Sequence, residues 1–152
     1  MKKCNSCTKC CDGSLRGEAY GHNFYPGKPC FFLILNSGCT IYEERPNPQC
    51  TEYFCLWITE EKIPEFLKPN KSDCLASIVN YGGVIQIHVI KTGKNFDIKY
   101  LEWYKEFARM NKKDLSWNID GEIGWQGSDK LEKAVKKYFK INFKLYNFMN
   151  YF

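Results

Sequence analysis

The sequence predicts an α+β fold, in which a loop-rich cysteine module at the amino terminus packs on a small domain of one β-hairpin and two helices. Three observations predict it. Eight of the nine cysteines fall within the first 55 residues, two β-branched runs flank Gly82-Gly83, and two later stretches repeat apolar residues at spacings of three and four. At 152 residues the chain has one domain's length and enough of it to bury a core. The expected organisation is a single compact domain over 1–152, with the cysteine module at 1–57 and the α+β portion at 72–142.

Within the module, Phe31 to Leu35 reads as a short buried stretch, and no apolar run approaches membrane-spanning length. Pro64, Pro69 and Asn70 punctuate a linker-like passage in which Glu60 to Leu67 can hold one helical turn. Cys74–Val79 and Val84–Ile90 then form a hairpin about the glycine pair, with Ile85, Ile87 and Val89 on one face. Asp97 precedes a helix over Ile98–Asn111 whose stripe is Ile98, Leu101, Tyr104 and Ala108. A three-residue turn at Asp120-Gly121-Glu122 would pair Ile119 with Ile123 and Trp117 with Trp125. A last helix, Ser128 to Lys140, takes Ser128 as its N-cap and buries Leu131, Ala134, Val135 and Tyr138. The aromatic tail from Phe143 to Phe152 is expected to pack on the domain or a partner.

The cysteines carry the chemistry. Cys4-x-x-Cys7-x-x-Cys10-Cys11 opens the set and Cys30, Cys39, Cys50 and Cys55 close it. Thiolates two residues apart on a tight turn converge on one soft metal ion, because the intervening backbone loops round and presents both sulfurs to the same point. A disulfide framework fits less well. It expects an oxidising compartment, whereas Met1-Lys2-Lys3 runs into Cys4 with no apolar secretory stretch, nine is an odd count, and neighbours such as Cys10 and Cys11 bridge only with strain. The expected setting is therefore a reducing cytoplasm.

The order of residues also resembles a known family. Cys4-x-x-Cys7-x-x-Cys10-Cys11, Pro29-Cys30-Phe31-Phe32, Gly38-Cys39-Thr40 through Arg45-Pro46, and Cys50-x-x-Tyr53-x-Cys55-x-Trp57 together are similar to the CxxCxxCC cysteine-cluster family of zinc- or iron-chelating domains. The resemblance covers about the first 75 residues, through Ile63-Pro64 and Lys68-Pro69-Asn70-Lys71-Ser72. Bacterial members are often labelled iron–sulfur oxidoreductases, and a similar cluster occurs in flagellin lysine methylases. The resemblance thus implies a metal site and a cytoplasmic setting rather than one reaction, and it leaves open an iron–sulfur oxidoreductase.

The expected metal ligands are Cys4, Cys7, Cys10, Cys11, Cys30, Cys39, Cys50 and Cys55. Eight thiolates are twice what one tetrahedral zinc or one four-iron cluster takes, so two centres, or one cluster with spare thiols, both satisfy the count. Adjacent side chains of an extended chain point apart, which lets Cys10 and Cys11 feed different sites. The first three cysteines have the spacing with which bacterial ferredoxins wrap three corners of a cluster, although no cysteine is followed by the usual proline. Zinc ribbons prefer paired Cys-x-x-Cys knuckles, and Cys50 to Cys55 is wider. The spacing favours an iron–sulfur cluster slightly over zinc. The functions expected are redox chemistry or electron transfer with a redox or protein partner, or, with zinc, a structural binding or adaptor module.

Other residues carry weaker signals. His22 is close enough in sequence to be a mixed ligand, but an exposed loop histidine is the commoner case. His88 alternates with Ile87 and Val89 and is expected on the wetter face of its strand; Cys74, outside the dense block, reads as a core residue. Thr92-Gly93-Lys94 is not a phosphate loop, since Asn95 stands where Ser or Thr is needed. Arg45-Pro46 fixes a turn, and its guanidinium is able to hydrogen-bond a cluster sulfur or an anion. The net charge of +5 sits entirely in residues 61–152. There Lys130, Lys133, Lys136, Lys137 and Lys140 stud the last helix as a solvated face, with nucleic acid the lesser alternative because no reader motif accompanies them. No acid/base pair has catalytic spacing, so no catalytic residue is assigned.

Overall fold

The computed structural model describes residues 2–3, 7–35, 37–48 and 50–149, with side chains described as far as 140. The protein is mixed α+β. It divides into two compact units, Met1–Leu75 with Thr92–Asp97, and Ala76–Lys91 with Ile98–Phe152.

The first unit is built of short elements. Strands β1 (Gly17–Ala19) and β2 (His22–Phe24) pair antiparallel. They turn at Tyr20-Gly21, both at positive φ (48° and 81°), the backbone whose twist matches that of the flanking strands. Phe24 lies across Gly17, where a Cβ would strike its ring. A small core of Ala19, Phe24 and Cys30 results, with Cys11, Leu15, Phe32 and Leu33 packed against it. Strands β3 (Leu33–Ile34) and β4 (Gly38–Cys39) make a second, shorter ribbon. The apolar run Phe31–Leu35 is not the buried stretch expected: Phe31 is 69% and Leu35 68% exposed. Of this run only Phe32 and Leu33 pack against the small core.

Further along, α1 (Leu56–Thr59) and α2 (Pro69–Ser72) are single turns, with a 3-10 turn at Glu65–Leu67 supplying the helical turn expected there. Trp57 is the anchor. Its indole N–H donates to the Pro64 carbonyl at 3.2 Å, and the ammoniums of Lys68 and Lys2 stand 4.9 and 5.1 Å from its ring, a cation–π arrangement. The unit is closed by Asp73, left-handed at φ 50°. Its carboxylate takes the Lys9 ammonium at 2.7 Å and the Asn95 N–H at 2.9 Å, and its carbonyl takes the Thr92 N–H at 2.8 Å. Gly93 is glycine because any Cβ there would meet that carboxylate.

The second unit is a four-stranded sheet in the order β5-β6-β7-β8. Strands β5 (Cys74–Tyr81) and β6 (Val84–Lys91) form the expected hairpin, with Gly82 and Gly83 both at positive φ. Helix α3 (Ile98–Met110) then crosses to β7 (Leu115–Ile119), which lies parallel to β6 with His88 opposite Ser116 and Val89 opposite Trp117. Strand β8 (Glu122–Gln126) returns antiparallel. Its register corrects the expectation by one residue: Asp120 and Gly121, at φ 53° and 89°, make a two-residue turn, so Ile119 faces Glu122 and Trp117 faces Gly124. Asp-Gly adopts this double positive-φ turn at low cost. A Cβ on residue 124 would collide with the Trp117 indole.

Helices cover both faces of this sheet. On one side α3 places the Lys105 ammonium 4.7 Å from the Trp117 ring, and the Lys105 carbonyl accepts from Gln126 Nε2 at 2.9 Å. On the other, α4 (Asp129–Met149) stacks Tyr138 on Tyr81, ring centres 4.2 Å apart. Ser128 caps α4, its Oγ accepting from the Leu131 N–H at 3.2 Å. Leu101, Tyr104 and Ala108 of α3, Leu131 and Val135 of α4, and Ile87, Val89 and Leu115 of the sheet are all buried, each large aliphatic contributing about 1.5–3 kcal/mol. Ile85, Ile98 and Tyr138 instead stand exposed, Tyr138 although its ring stacks on Tyr81. The backbone of 141–149 continues α4 into the aromatic tail, whose side-chain packing lies outside the described residues.

Candidate functional site

The first unit's backbone gathers cysteines from separated segments. The Cys11 and Asp12 N–H groups donate to the Thr8 carbonyl at 2.8 and 3.0 Å, folding the Cys7–Cys11 segment into a turn. The Cys30 N–H donates to the Cys11 carbonyl at 2.8 Å and so sets those two residues side by side. The β3–β4 register puts Cys39 opposite Leu33, and Cys50 is drawn in by its N–H to the Pro46 carbonyl at 3.1 Å. Gly13, at φ 94° and tight against the Tyr25 carbonyl, lets the chain pass beneath.

These segments enclose a cavity of ≈ 330 Å³ lined by Cys7, Cys10, Cys11, Cys30, Cys39 and Cys50. Leu15, Phe24, Leu33 and Ile41 form its apolar wall, and Arg16 and Arg45 are its cations; no Asp or Glu is among the described lining residues. Burial pushes the Cys11 thiol up to about 12, reinforced by charge on Cys30, Cys39, Cys50 and Asp12. Cys50 is also raised, by burial and then by Cys30 and Cys39, with Arg45 acting in the opposite sense. Cys11 and Cys50 therefore resist ionising. No disulfide joins the described cysteines. Among the described residues no three His, Cys, Asp or Glu side chains converge closely enough to hold a metal ion as they stand. The sulfurs surround a common space without meeting at a point.

Six of the eight cysteines expected as ligands thus line one cavity. Cys4 lies outside the described residues. Cys55 is 5% exposed and does not line the cavity. Cys74 is wholly buried at the start of β5, with burial pushing its thiol to about 12. His22 stacks on Phe31 with ring centres 4.2 Å apart and is not a lining residue. His88 corrects the expectation of a wet strand face: its Nδ1 lies 2.8 Å from Ser116 Oγ, Tyr81 and Phe139 cover its ring, and burial lowers it to about 4. Arg16 is a cavity residue that sequence spacing missed; it lies outside every cysteine motif, immediately before β1. Of the five lysines expected on the last helix, Lys130, Lys133 and Lys137 border a groove beside Gly82-Gly83, while Lys136 pairs with Glu132 and stands 5.4 Å from the Trp125 ring. No described helix is long and apolar enough to cross a membrane. Compared with known proteins, the chain matches no family model, no curated protein and no solved structure.

Proposed function

We propose that the protein binds a thiophilic metal through its amino-terminal cysteines, and that the centre is an iron–sulfur cluster used for redox chemistry or electron transfer in a reducing cytoplasm. One observation carries this reading: six cysteines from separate segments line a single cavity free of carboxylates among its described lining residues, a donor set suited to soft metals and unsuited to magnesium or calcium. Cys7, Cys10, Cys11, Cys30, Cys39 and Cys50 are the residues that would hold it. The space equals that of roughly ten waters, more than one ion needs. Cys11 and Cys50, raised by burial and by neighbouring thiolate charge, must lose protons for a metal to bind, and the bound cation compensates the charge that opposes their ionisation. The spacing Cys4-x-x-Cys7-x-x-Cys10 and the resemblance to the CxxCxxCC family point the same way.

A second reading, structural zinc in a binding or adaptor module, draws on the small core of Ala19, Phe24 and Cys30. That cluster beside the thiol cavity buries few side chains, which leaves a metal to supply folding free energy there. Anaerobic expression with added iron, followed by absorbance and by iron, sulfide and zinc analysis, decides between them. Brown protein with iron and acid-labile sulfide is the expected result. Colourless protein with stoichiometric zinc and no sulfide replaces it with the second reading, and protein that takes up neither metal ends both.

A further inference from the structure

Arg45 enters the thiol cavity as a consequence of local sequence. Tyr42–Glu44 is a 3-10 turn, which eclipses side chains three residues apart. Pro46 forbids the turn from continuing, because the residue before proline is driven out of the helical region; Arg45 accordingly sits at φ −59°, ψ 140°. Its guanidinium carbon lies 3.7 Å from the Tyr42 ring centre. Stacking on that ring fixes the plane of the fork. Both residues line the cavity of Cys11, Cys39 and Cys50.

The Arg45 Nε–H is buried and has no acceptor among the described residues. A buried charged donor left unpaired costs on the order of 1–3 kcal/mol or more, so its retention calls for an acceptor that arrives with a ligand. The described lining residues include no carboxylate to serve. Beside the hydroxyls of Thr8, Tyr42 and Tyr53, the side-chain acceptors of the lining are the cysteine sulfurs. A neutral thiol is a weak one, whereas a metal-bound thiolate or a cluster sulfide carries negative charge and accepts a charge-assisted hydrogen bond.

We propose that Arg45 is a positioning residue for the metal-loaded centre, its Nε–H donating to a metal-bound sulfur and its charge offsetting that of the thiolates. The inference rests on the metal reading above. Cys50 is the thiol on which the Arg45 charge already acts. Tyr42 holds the guanidinium in place, so its aromatic face belongs to the same device.

The test uses the full-length protein, reduced and freed of metal, titrated with cobalt(II), whose thiolate charge-transfer absorbance reports the sulfurs directly. Arg45→Met should bind the same number of ions with affinity lowered by about 10- to 100-fold, as is usual for partners of metal ligands, and with the charge-transfer band shifted. Arg45→Lys, which keeps the cation, should lose less than Arg45→Met. Tyr42→Leu, which leaves Arg45 in the chain but removes its platform, should shift the band in the same direction and covers the case in which Arg45→Met does not fold. Variants that match wild type in both affinity and band overturn the role of Arg45 and leave the metal reading standing. Wild type that binds no cobalt overturns both.

Discussion

His88 Nδ1 and Ser116 Oγ stand 2.8 Å apart on neighbouring parallel strands, in a layer covered by Tyr81 and Phe139. Burial holds the imidazole neutral, lowering it from 6.5 to about 4. The unfolded chain therefore binds a proton near pH 6.5 that the folded protein refuses until about pH 4. Stability from this group is complete above pH 6.5 and is lost as pH falls toward 4, by an amount on the order of 3 kcal/mol. Urea unfolding of wild type and His88→Gln between pH 7.5 and 4.5 checks it. The variant should show a flatter pH dependence across that window, and parallel curves for the two proteins would refute the assignment.

Three positions beyond the turn, β6 also buries Gln86, 1% exposed, with neither Nε2 nor Oε1 hydrogen-bonded among the described residues. Replacing an unpaired buried amide by an apolar group of similar shape removes a desolvation penalty of about 1–3 kcal/mol. Gln86→Met should accordingly raise the melting temperature. A loss of stability would mean that the amide has a partner in the folded protein.

The ion pair of Lys9 and Asp73 ties the cysteine turn to the close of the first unit. Burial alone would raise the Asp73 carboxyl, but hydrogen bonds from Lys9 and from the Asn95 N–H win and lower it. Lys9 behaves correspondingly: burial lowers it, the hydrogen bond and charge of Asp73 outweigh that, and it is raised. Asp73→Asn keeps a residue that tolerates the left-handed backbone and removes the charge. It should cost about 1–3 kcal/mol and open residues 7–12 to proteolysis. Unchanged protection of that segment would show that the pair does not hold it.

How much of this was legible in the sequence follows from how local each feature is. Gly82-Gly83 between β-branched runs announces its hairpin, and Ser128 announces the start of α4, because turn and cap chemistry act over a few residues. The Asp120-Gly121 register slipped by one, since counting Glu122 into the turn hides the two consecutive positive-φ residues. The parallel pairing of β6 with β7 has no local signature at all. Without that pairing His88 reads as facing water, whereas Ser116 and α4 meet it there. Among the cysteines, spacing identified the thiol-rich segment but not which sulfurs face one cavity; that depends on the Cys30-to-Cys11 hydrogen bond and the β3–β4 ribbon, both made between segments distant in sequence.

The cavity divides the cysteines into groups that single replacements should separate. Cys11, Cys39 and Cys50 line it and are coupled in charge, so Cys→Ser at each should abolish or halve the metal bound per chain, by removing a donor that a soft ion cannot replace with a hydroxyl. Cys74 is buried alone at the start of β5, its thiol raised by burial and nothing else; Cys74→Ser should leave metal content unchanged and cost only the burial of a polar hydroxyl, about 1–3 kcal/mol. Cys55 tests the boundary. Sequence spacing makes it a ligand, whereas its side chain is buried at the start of α1 and does not line the cavity. Cys55→Ser is expected to retain full metal content with lowered stability, measured by metal analysis alongside thermal unfolding of the same samples. Metal loss in Cys55→Ser equal to that in Cys50→Ser would mean that the centre extends beyond this cavity and takes in the turn before Trp57.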